Sequence, residues 1–140
     1  MLHPLVVHFV VVLVPAAALI ATYAAFRPSP GARNLLLIVL VLAAVAAFAA
    51  DQLGDSDLHK AGRSLNGTVR QAAHTHQNLG NYTWFGTAGI AVGAALLRNR
   101  IALGPWPWVV AGLLWALTAL LVLTAWYGGA LTYEFGVNTP

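Results

Sequence analysis

Five histidines are the side chains of this protein that are best suited to chemistry. They are His3, His8, His59, His74 and His76. The first two lie in the segment HPLVVHF, where a long apolar run begins. A histidine inside a membrane segment is costly to desolvate and indicates a functional site. The sequence contains no cysteine, which excludes disulfides, thiolate metal sites and covalently attached c-type haem.

Neutral imidazole nitrogens bind a metal or a haem iron when they converge from different helices. His3 and His8 are about 140° apart around a helix axis. His74 and His76 are about 200° apart, so at most one histidine of each pair points into a bundle. His8 lies roughly 5 Å into the apolar stretch, and His76 shares a helix face with small residues such as Gly80. We therefore predict that His8 and His76 are the axial metal ligands of a b-type haem.

Further residues are predicted to contact this cofactor. His3 with His74 or His59 would form a second, more exposed site or donate hydrogen bonds to haem propionates. The pair Gly128 and Gly129, near the exit of the last span, would admit a cofactor edge or a partner helix. The complete predicted cofactor-binding set is His3, His8, His74, His76, Gly80, Gly128 and Gly129.

Two alternatives account for these histidines without a haem. A histidine at the mouth of a membrane helix commonly serves as a helix cap or lies at the interface with water. His59 is also close in sequence to three carboxylates, and such a set would hold zinc or Cu(II). These carboxylates are Asp51, Asp55 and Asp57.

The composition identifies the elements that must position these side chains. The chain has 140 residues, of which 59% are hydrophobic and only 8% are charged, whereas a soluble domain is about one quarter charged. It is therefore interpreted as an integral membrane protein of one domain. The seven basic residues are scattered over several connections and form no stripe, so no nucleic-acid partner is expected.

The apolar segments predict an all-α, integral membrane four-helix bundle. The predicted spans cover residues of about 5–26, 34–50, 76–97 and 105–127, with a polar outer loop at 51–73. The third helix is expected to extend back to about Thr68. Gly89 and Gly93 form a G-x-x-x-G pattern, which favours close approach of another helix or of a flat cofactor.

The basic residues predict the orientation of the bundle. Four arginines lie in the two connections that carry no acid: Arg27, Arg33, Arg98 and Arg100. The other side carries three basic residues: Lys60, Arg63 and Arg70. By the positive-inside rule the acid-free connections face the cytoplasm. Both termini and all histidines then lie on the outer, periplasmic side of a bacterial inner membrane.

Several of these motifs together resemble a known family. HPLVVHF at the start, Asp51 after the second span, HQNLG at residues 76–80 and GGALTYEFGV near the end are similar to the bacterial four-helix membrane proteins grouped as domain of unknown function 2231. The resemblance covers most of the chain and implies four spans, but it carries no established activity. It also implies that His3, His8 and His76 are histidines typical of the family, whereas His59 and His74 are particular to this chain.

The function predicted from the sequence is that of a membrane-embedded b-type haem protein, or of a haem-bearing subunit of a redox complex. Such a protein would transfer electrons near the periplasmic face. Its expected partners are the lipid bilayer and other membrane or periplasmic redox subunits. The alternatives are a cofactor-free structural or assembly subunit of a membrane complex, and a membrane protein that binds a divalent metal through His and Asp.

Overall fold

The computed structural model describes residues 3–61, 67–98 and 105–134. These residues form four long α-helices, which confirms the predicted all-α, four-helix architecture. Helix α1 covers His3–Phe26, α2 covers Pro30–Ala61, α3 covers Gly67–Leu96 and α4 covers Trp106–Tyr133. Pro15 lies inside α1, which nevertheless continues as one helix to Phe26.

The four helices are arranged as a ring in which each helix packs against two neighbours. Helix α1 packs against α2 and α4, and α3 packs against the same two helices. Short connections between successive helices make neighbours antiparallel. The N-terminal ends of α1 and α3 therefore lie beside the C-terminal ends of α2 and α4, and we call this the site end. The opposite end carries Arg27, Arg33 and Arg98, and we call it the arginine end.

Three of the helices contain segments that are long and apolar enough to cross a membrane. These segments are Leu5–Phe26, Pro30–Ser56 and Trp106–Tyr133. Helix α3 has 30 residues and a length of about 45 Å, but it is more polar. Its passage through the bilayer therefore stays a prediction, as does the assignment of the site end to the periplasmic side.

The polar segment 51–73 differs from the predicted outer loop. Helix α2 continues through it to Ala61, and α3 begins at Gly67, so only residues 62–66 remain between the two helices. Polar side chains in this segment bond back to the helix itself. Ser56 Oγ donates to the Leu53 carbonyl at 2.8 Å, and His59 Nδ1 lies 2.9 Å from the Asp55 carbonyl oxygen. The polarity of the segment therefore indicates contact with water and not a break in the helix.

The bundle core is built mainly from small residues with a few larger side chains between them. The largest fully buried side chains are Val14, Leu40, Thr87 and Leu114. The Thr87 hydroxyl donates to the Thr83 carbonyl at 2.7 Å, so this buried polar group is satisfied within α3. In a bilayer, van der Waals packing between helices replaces the hydrophobic effect as the main source of cohesion. Many of the other core positions are alanine, which allows the helices to approach closely.

Aromatic side chains are exposed at both ends of α4. Trp106 and Trp108 lie at its beginning, and Trp126, Tyr127 and Tyr133 lie toward its end. Rings of this kind are enriched where a membrane helix meets the headgroup region. Their position agrees with a helix that crosses the bilayer.

On α3 the closest glycine contact with another helix is made by Gly86, outside the G-x-x-x-G pattern. A Cβ at Gly86 would lie 2.8 Å from Cδ1 of Leu117 on α4. A Cβ at Gly89 or Gly93 would have no neighbouring atom within 4 Å. Among the described glycines of α3, close packing therefore depends on Gly86, and the interpretation of Gly89 and Gly93 as a packing motif is not supported.

This difference predicts unequal effects of the same substitution at two glycines of α3. Gly86→Val is expected to lower the free energy of unfolding by about 1–3 kcal/mol more than Gly89→Val, because only the first overpacks the contact with Leu117. Both variants place the same β-branched residue in the same helix, so the effect of helix propensity on the free energy of unfolding is the same in both and cancels in the difference. Thermal unfolding of the two purified proteins in one detergent measures the difference. Equal melting temperatures would contradict the packing described here.

Candidate functional site

A small cavity lies between the four helices near the site end of the bundle. Its volume is about 70 Å³. The polar groups in its lining come from three helices: Asp51 on α2, His76, Gln77 and Thr83 on α3, and Thr124 on α4. Helix α1 contributes the apolar side chains Val7, Val10 and Val11. The cavity therefore brings two ionisable side chains together inside a largely apolar bundle.

The Asp51 carboxylate is held by amide side chains of α3. Gln77 Nε2 donates to Asp51 Oδ1 at 3.3 Å. In the amide orientation that turns its nitrogen toward the carboxylate, Asn81 donates to both oxygens, at 2.6 Å and 3.1 Å. Gln77 and Asn81 are four residues apart and so lie on one face of α3. Because a carboxylate is costly to remove from water, these donors offset part of the cost of placing Asp51 here.

The His76 ring is half-buried and is oriented by α4. Its Nδ1 donates to the Thr124 carbonyl oxygen at 2.9 Å. A carbonyl oxygen can only accept, so Nδ1 carries the proton and Nε2 is the acceptor nitrogen of the neutral ring. A hydrogen bond from Nδ1 to a backbone carbonyl commonly fixes the tautomer of a histidine whose Nε2 binds a metal or takes up a proton. The geometry therefore prepares His76 for either role.

Gly128 provides the space that the His76 ring occupies. A Cβ at this position would lie 2.8 Å from Cε1 and 3.3 Å from Nδ1 of the ring. Gly128 follows Thr124 by four residues, so the accepting carbonyl and the missing side chain lie on the same face of α4. The predicted Gly80 also lines the cavity, where a Cβ would lie 3.9 Å from Asp51 Oδ1.

The structure does not bring every predicted site residue to this cavity. His8 is exposed, and it does not line the cavity although its neighbours Val7 and Val10 do. His74 is also exposed. A Cβ at Gly129 would have no atom within 4 Å, so this glycine is not required for a close approach. The side chain of His3 lies outside the described residues.

His59 makes a local contact on the exposed surface of α2. Its Nδ1 lies 3.5 Å from Asp55 Oδ1, in addition to its contact with the Asp55 carbonyl oxygen. Among the side chains that the structure describes, no group of three His, Asp or Glu residues is placed to hold a metal ion. The predicted ligation of iron by His8 and His76, and of zinc or Cu(II) near His59, therefore stays a prediction. The side chain of Asp57 is not among those described.

Three partners in the site have no role in the sequence-based prediction. They are the amides of Gln77 and Asn81 and the backbone carbonyl of Thr124. The spacing of the two amides on α3 shows that they share a face, but it does not show that Asp51 of α2 faces them. Every residue has a backbone carbonyl, so the sequence does not indicate which carbonyl accepts a hydrogen bond from a side chain. Only the packing of the helices shows these partners.

Comparison with known protein families agrees with the fold and the motifs. A sequence model of the DUF2231 family, described as a predicted membrane protein, matches residues 1–140. The chain belongs to the DUF2231 family. The resemblance inferred from the histidine motifs and the C-terminal motif is thereby confirmed. No curated protein and no solved structure matches this DUF2231 chain.

The contact between Gly128 and His76 predicts that a side chain at residue 128 will displace the ring. Gly128→Val is expected to lower the free energy of unfolding by about 1–3 kcal/mol, because the new side chain meets Cε1 and disturbs the bond to Thr124. It should also change the ¹⁵N chemical shifts of the His76 ring. The matched control is Gly129→Val, which meets no atom within 4 Å. If both variants left the His76 resonances unchanged, the described position of the ring would be wrong.

Proposed function

We propose that this DUF2231 protein takes up and releases protons at a membrane-embedded site formed by His76 and Asp51. One observation carries the proposal: both side chains line the same cavity, and each is oriented by hydrogen bonds with a neighbouring helix. Ionisable residues in membrane bundles commonly mark proton pathways. Histidine is the side chain whose charge changes most readily near neutral pH.

The dimensions of the cavity suit water-mediated proton exchange. A water molecule needs a cavity of about 10–15 Å³ and two to four polar partners. The cavity of about 70 Å³ has room for several water molecules, and its lining offers Asp51, His76, Gln77 and Thr83 as partners. Water bridging two polar groups is nearly as favourable as a direct hydrogen bond. A proton can therefore pass between imidazole and carboxylate without direct contact between them.

The exchange is proposed to occur from one end of the bundle only. Further along the bundle, toward the arginine end, Val14, Leu40, Thr87 and Leu114 are fully buried and fill the space between the helices. The only polar side chain of this layer is Thr87, and its hydroxyl bonds within α3. The site is thus suited to accept or supply protons at the site end and is not a transmembrane proton channel.

Infrared difference spectra of the purified protein between about pH 5 and pH 8 test this function. If the two groups that line this cavity are coupled, as proposed, protonation of His76 should alter imidazole bands and the carboxyl bands of Asp51 in the same pH step. Asp51→Asn is expected to change the pH at which the imidazole bands respond, because it removes a carboxylate that lines the same cavity. His76→Phe should remove that transition.

The matched control is the exposed His59 on α2. His59→Phe changes the same residue type as His76→Phe on an exposed surface of the same end, so it should leave the His76 transition unchanged. Identical pH transitions in the unaltered protein and in Asp51→Asn would refute coupling between His76 and Asp51, and with it the proposed function.

A second candidate function is ligation of a metal or haem iron through His76. It is favoured by the bond from Nδ1 to the Thr124 carbonyl, because a histidine that binds a metal commonly donates its other ring N–H to a backbone carbonyl. The cavity of about 70 Å³ is well below the roughly 300–1,000 Å³ of typical ligand pockets. A single ion with water fits this space, whereas a haem shared by His76 and the exposed His8 would have to lie outside the present cavity. In this second proposal the redox subunits of a larger complex would be the partners.

An absorption spectrum of the protein purified from its membrane tests the second candidate. A haem ligated by two histidines is expected to show a Soret band and sharp bands on reduction, both lost in His76→Ala and His8→Ala. His74→Ala and His59→Ala serve as controls, because both side chains are exposed and neither lines the cavity. A colourless protein without bound metal would exclude this candidate. If the pH-dependent coupling were absent as well, a cofactor-free structural or assembly role would remain.

A further inference from the structure

A second concave surface lies at the arginine end, away from the His76 cavity. It is an open groove of about 360 Å³ between α1 and α2. Residues from both helices line it: Leu19, Ile20 and Tyr23 on α1, and Gly31, Ala32 and Leu35 on α2. We call this surface the α1–α2 groove. Its lining is almost entirely apolar, and its volume is within the range of ligand-binding pockets.

A single basic residue lies at the end of this groove. Arg27 follows Tyr23 by one helical turn, and its backbone N–H donates to the Tyr23 carbonyl at 2.8 Å. The axial distance from Leu19 to Arg27 is about 12 Å, so the apolar lining extends from the level of Arg27 toward the middle of the bundle. An elongated apolar surface with a positive charge at its outer end matches the shape and charge of an anionic lipid.

The other described arginines at this end are engaged on a different side of the bundle. Arg33 Nη1 donates to the Arg98 carbonyl at 3.4 Å, and Arg98 Nη2 donates to Asn34 Oδ1 at 2.9 Å. These contacts join the beginning of α2 to the end of α3. In the described part of the chain, the exposed Arg27 guanidinium has no hydrogen-bond or ion-pair partner. Arg27 is therefore the cation that remains available next to the groove.

The distribution of acids strengthens this charge complementarity. The sequence contains only four acidic residues: Asp51, Asp55, Asp57 and Glu134. The first three lie on the final turns of α2 and the fourth follows α4, so all four are at the site end. No carboxylate competes with a bound anion for Arg27, and none repels that anion. The positive potential at the arginine end is therefore uncompensated by the protein itself.

We propose that the α1–α2 groove binds one anionic phospholipid, with an acyl chain along the apolar lining and the phosphate at Arg27. A basic residue near a membrane surface increases the affinity for anionic over zwitterionic lipid by about fivefold. This site lies at the end of the bundle opposite to His76 and does not depend on the proposed proton exchange. A lipid is the expected occupant because the groove lies between two candidate membrane spans and Arg27 directly follows the first of them.

Native mass spectrometry of the full chain, with phosphatidylglycerol and phosphatidylcholine of identical acyl chains, tests the proposal. The unaltered protein is expected to retain one phosphatidylglycerol per chain, about fivefold in preference to phosphatidylcholine. Arg27→Gln should reduce this preference to about one while the groove still accepts both lipids. Arg70→Gln, which removes the same charge at the opposite end, should leave the preference unchanged.

A second variant tests the groove itself. Gly31→Leu projects a side chain from the groove wall into open space, since a Cβ at Gly31 would have no atom within 4 Å. It should reduce retention of both lipids several-fold. Gly112→Leu is the matched control, because this exposed glycine of α4 also has no atom within 4 Å of a Cβ.

Three outcomes would overturn the proposal. The first is equal retention of the two lipids by the unaltered protein, and the second is retention that Gly31→Leu leaves unchanged. The third is a dimer mass that Gly31→Leu abolishes, which would show that a second copy of the chain occupies the groove. Arg27→Gln changes only an exposed side chain, so the test of the charge with this variant remains valid even if Gly31→Leu fails to fold.

Discussion

The cost of placing the Asp51 carboxylate inside a membrane bundle is the constraint on which the site end depends. A charge that leaves water must recover hydrogen bonds from the protein. Asp51 recovers them from Gln77 and Asn81, which α3 presents on a single face. This contact joins α2 to α3 at the depth where His76 also enters the bundle. The cavity therefore lies beside the contact that satisfies this carboxylate.

The remaining polar groups follow the same rule of local satisfaction. His76 donates to a carbonyl of α4, and the hydroxyls of Thr83, Thr87 and Thr124 donate to carbonyls one turn earlier in their own helices. No described side-chain nitrogen or oxygen is buried without a hydrogen-bond partner. Small residues allow neighbouring polar groups to come within hydrogen-bond distance, and Gly128 is the clearest example. In the part of the chain that the structure describes, the bundle thus combines a mostly apolar exterior with a polar cavity at the site end.

The two ends of the bundle carry opposite chemistry. The acids, the histidines and the small cavity lie at the site end, whereas Arg27, Arg33 and Arg98 lie at the other end with no acid among them. A layer of fully buried side chains that includes Leu40 and Leu114 separates the two ends. The proposed proton exchange at one end and the proposed lipid binding at the other can therefore coexist in 140 residues without sharing a residue.

By itself the sequence determined the membrane character, the four helices and the family, and it singled out His76 and Gly128 as candidate site residues. Composition and apolar length are properties of single segments, so they can be evaluated without knowing which segments meet. Only the tertiary structure decided that Asp51 faces Gln77 and Asn81, that His8 is exposed and that Gly86, not Gly89, makes the close contact. Helical periodicity relates residues on one helix, but the rotation of each helix against its neighbours is set by packing. The polar segment after Asp51 was predicted to be a loop, but it is helical. Polar residues indicate contact with water, but they do not determine the conformation of the backbone.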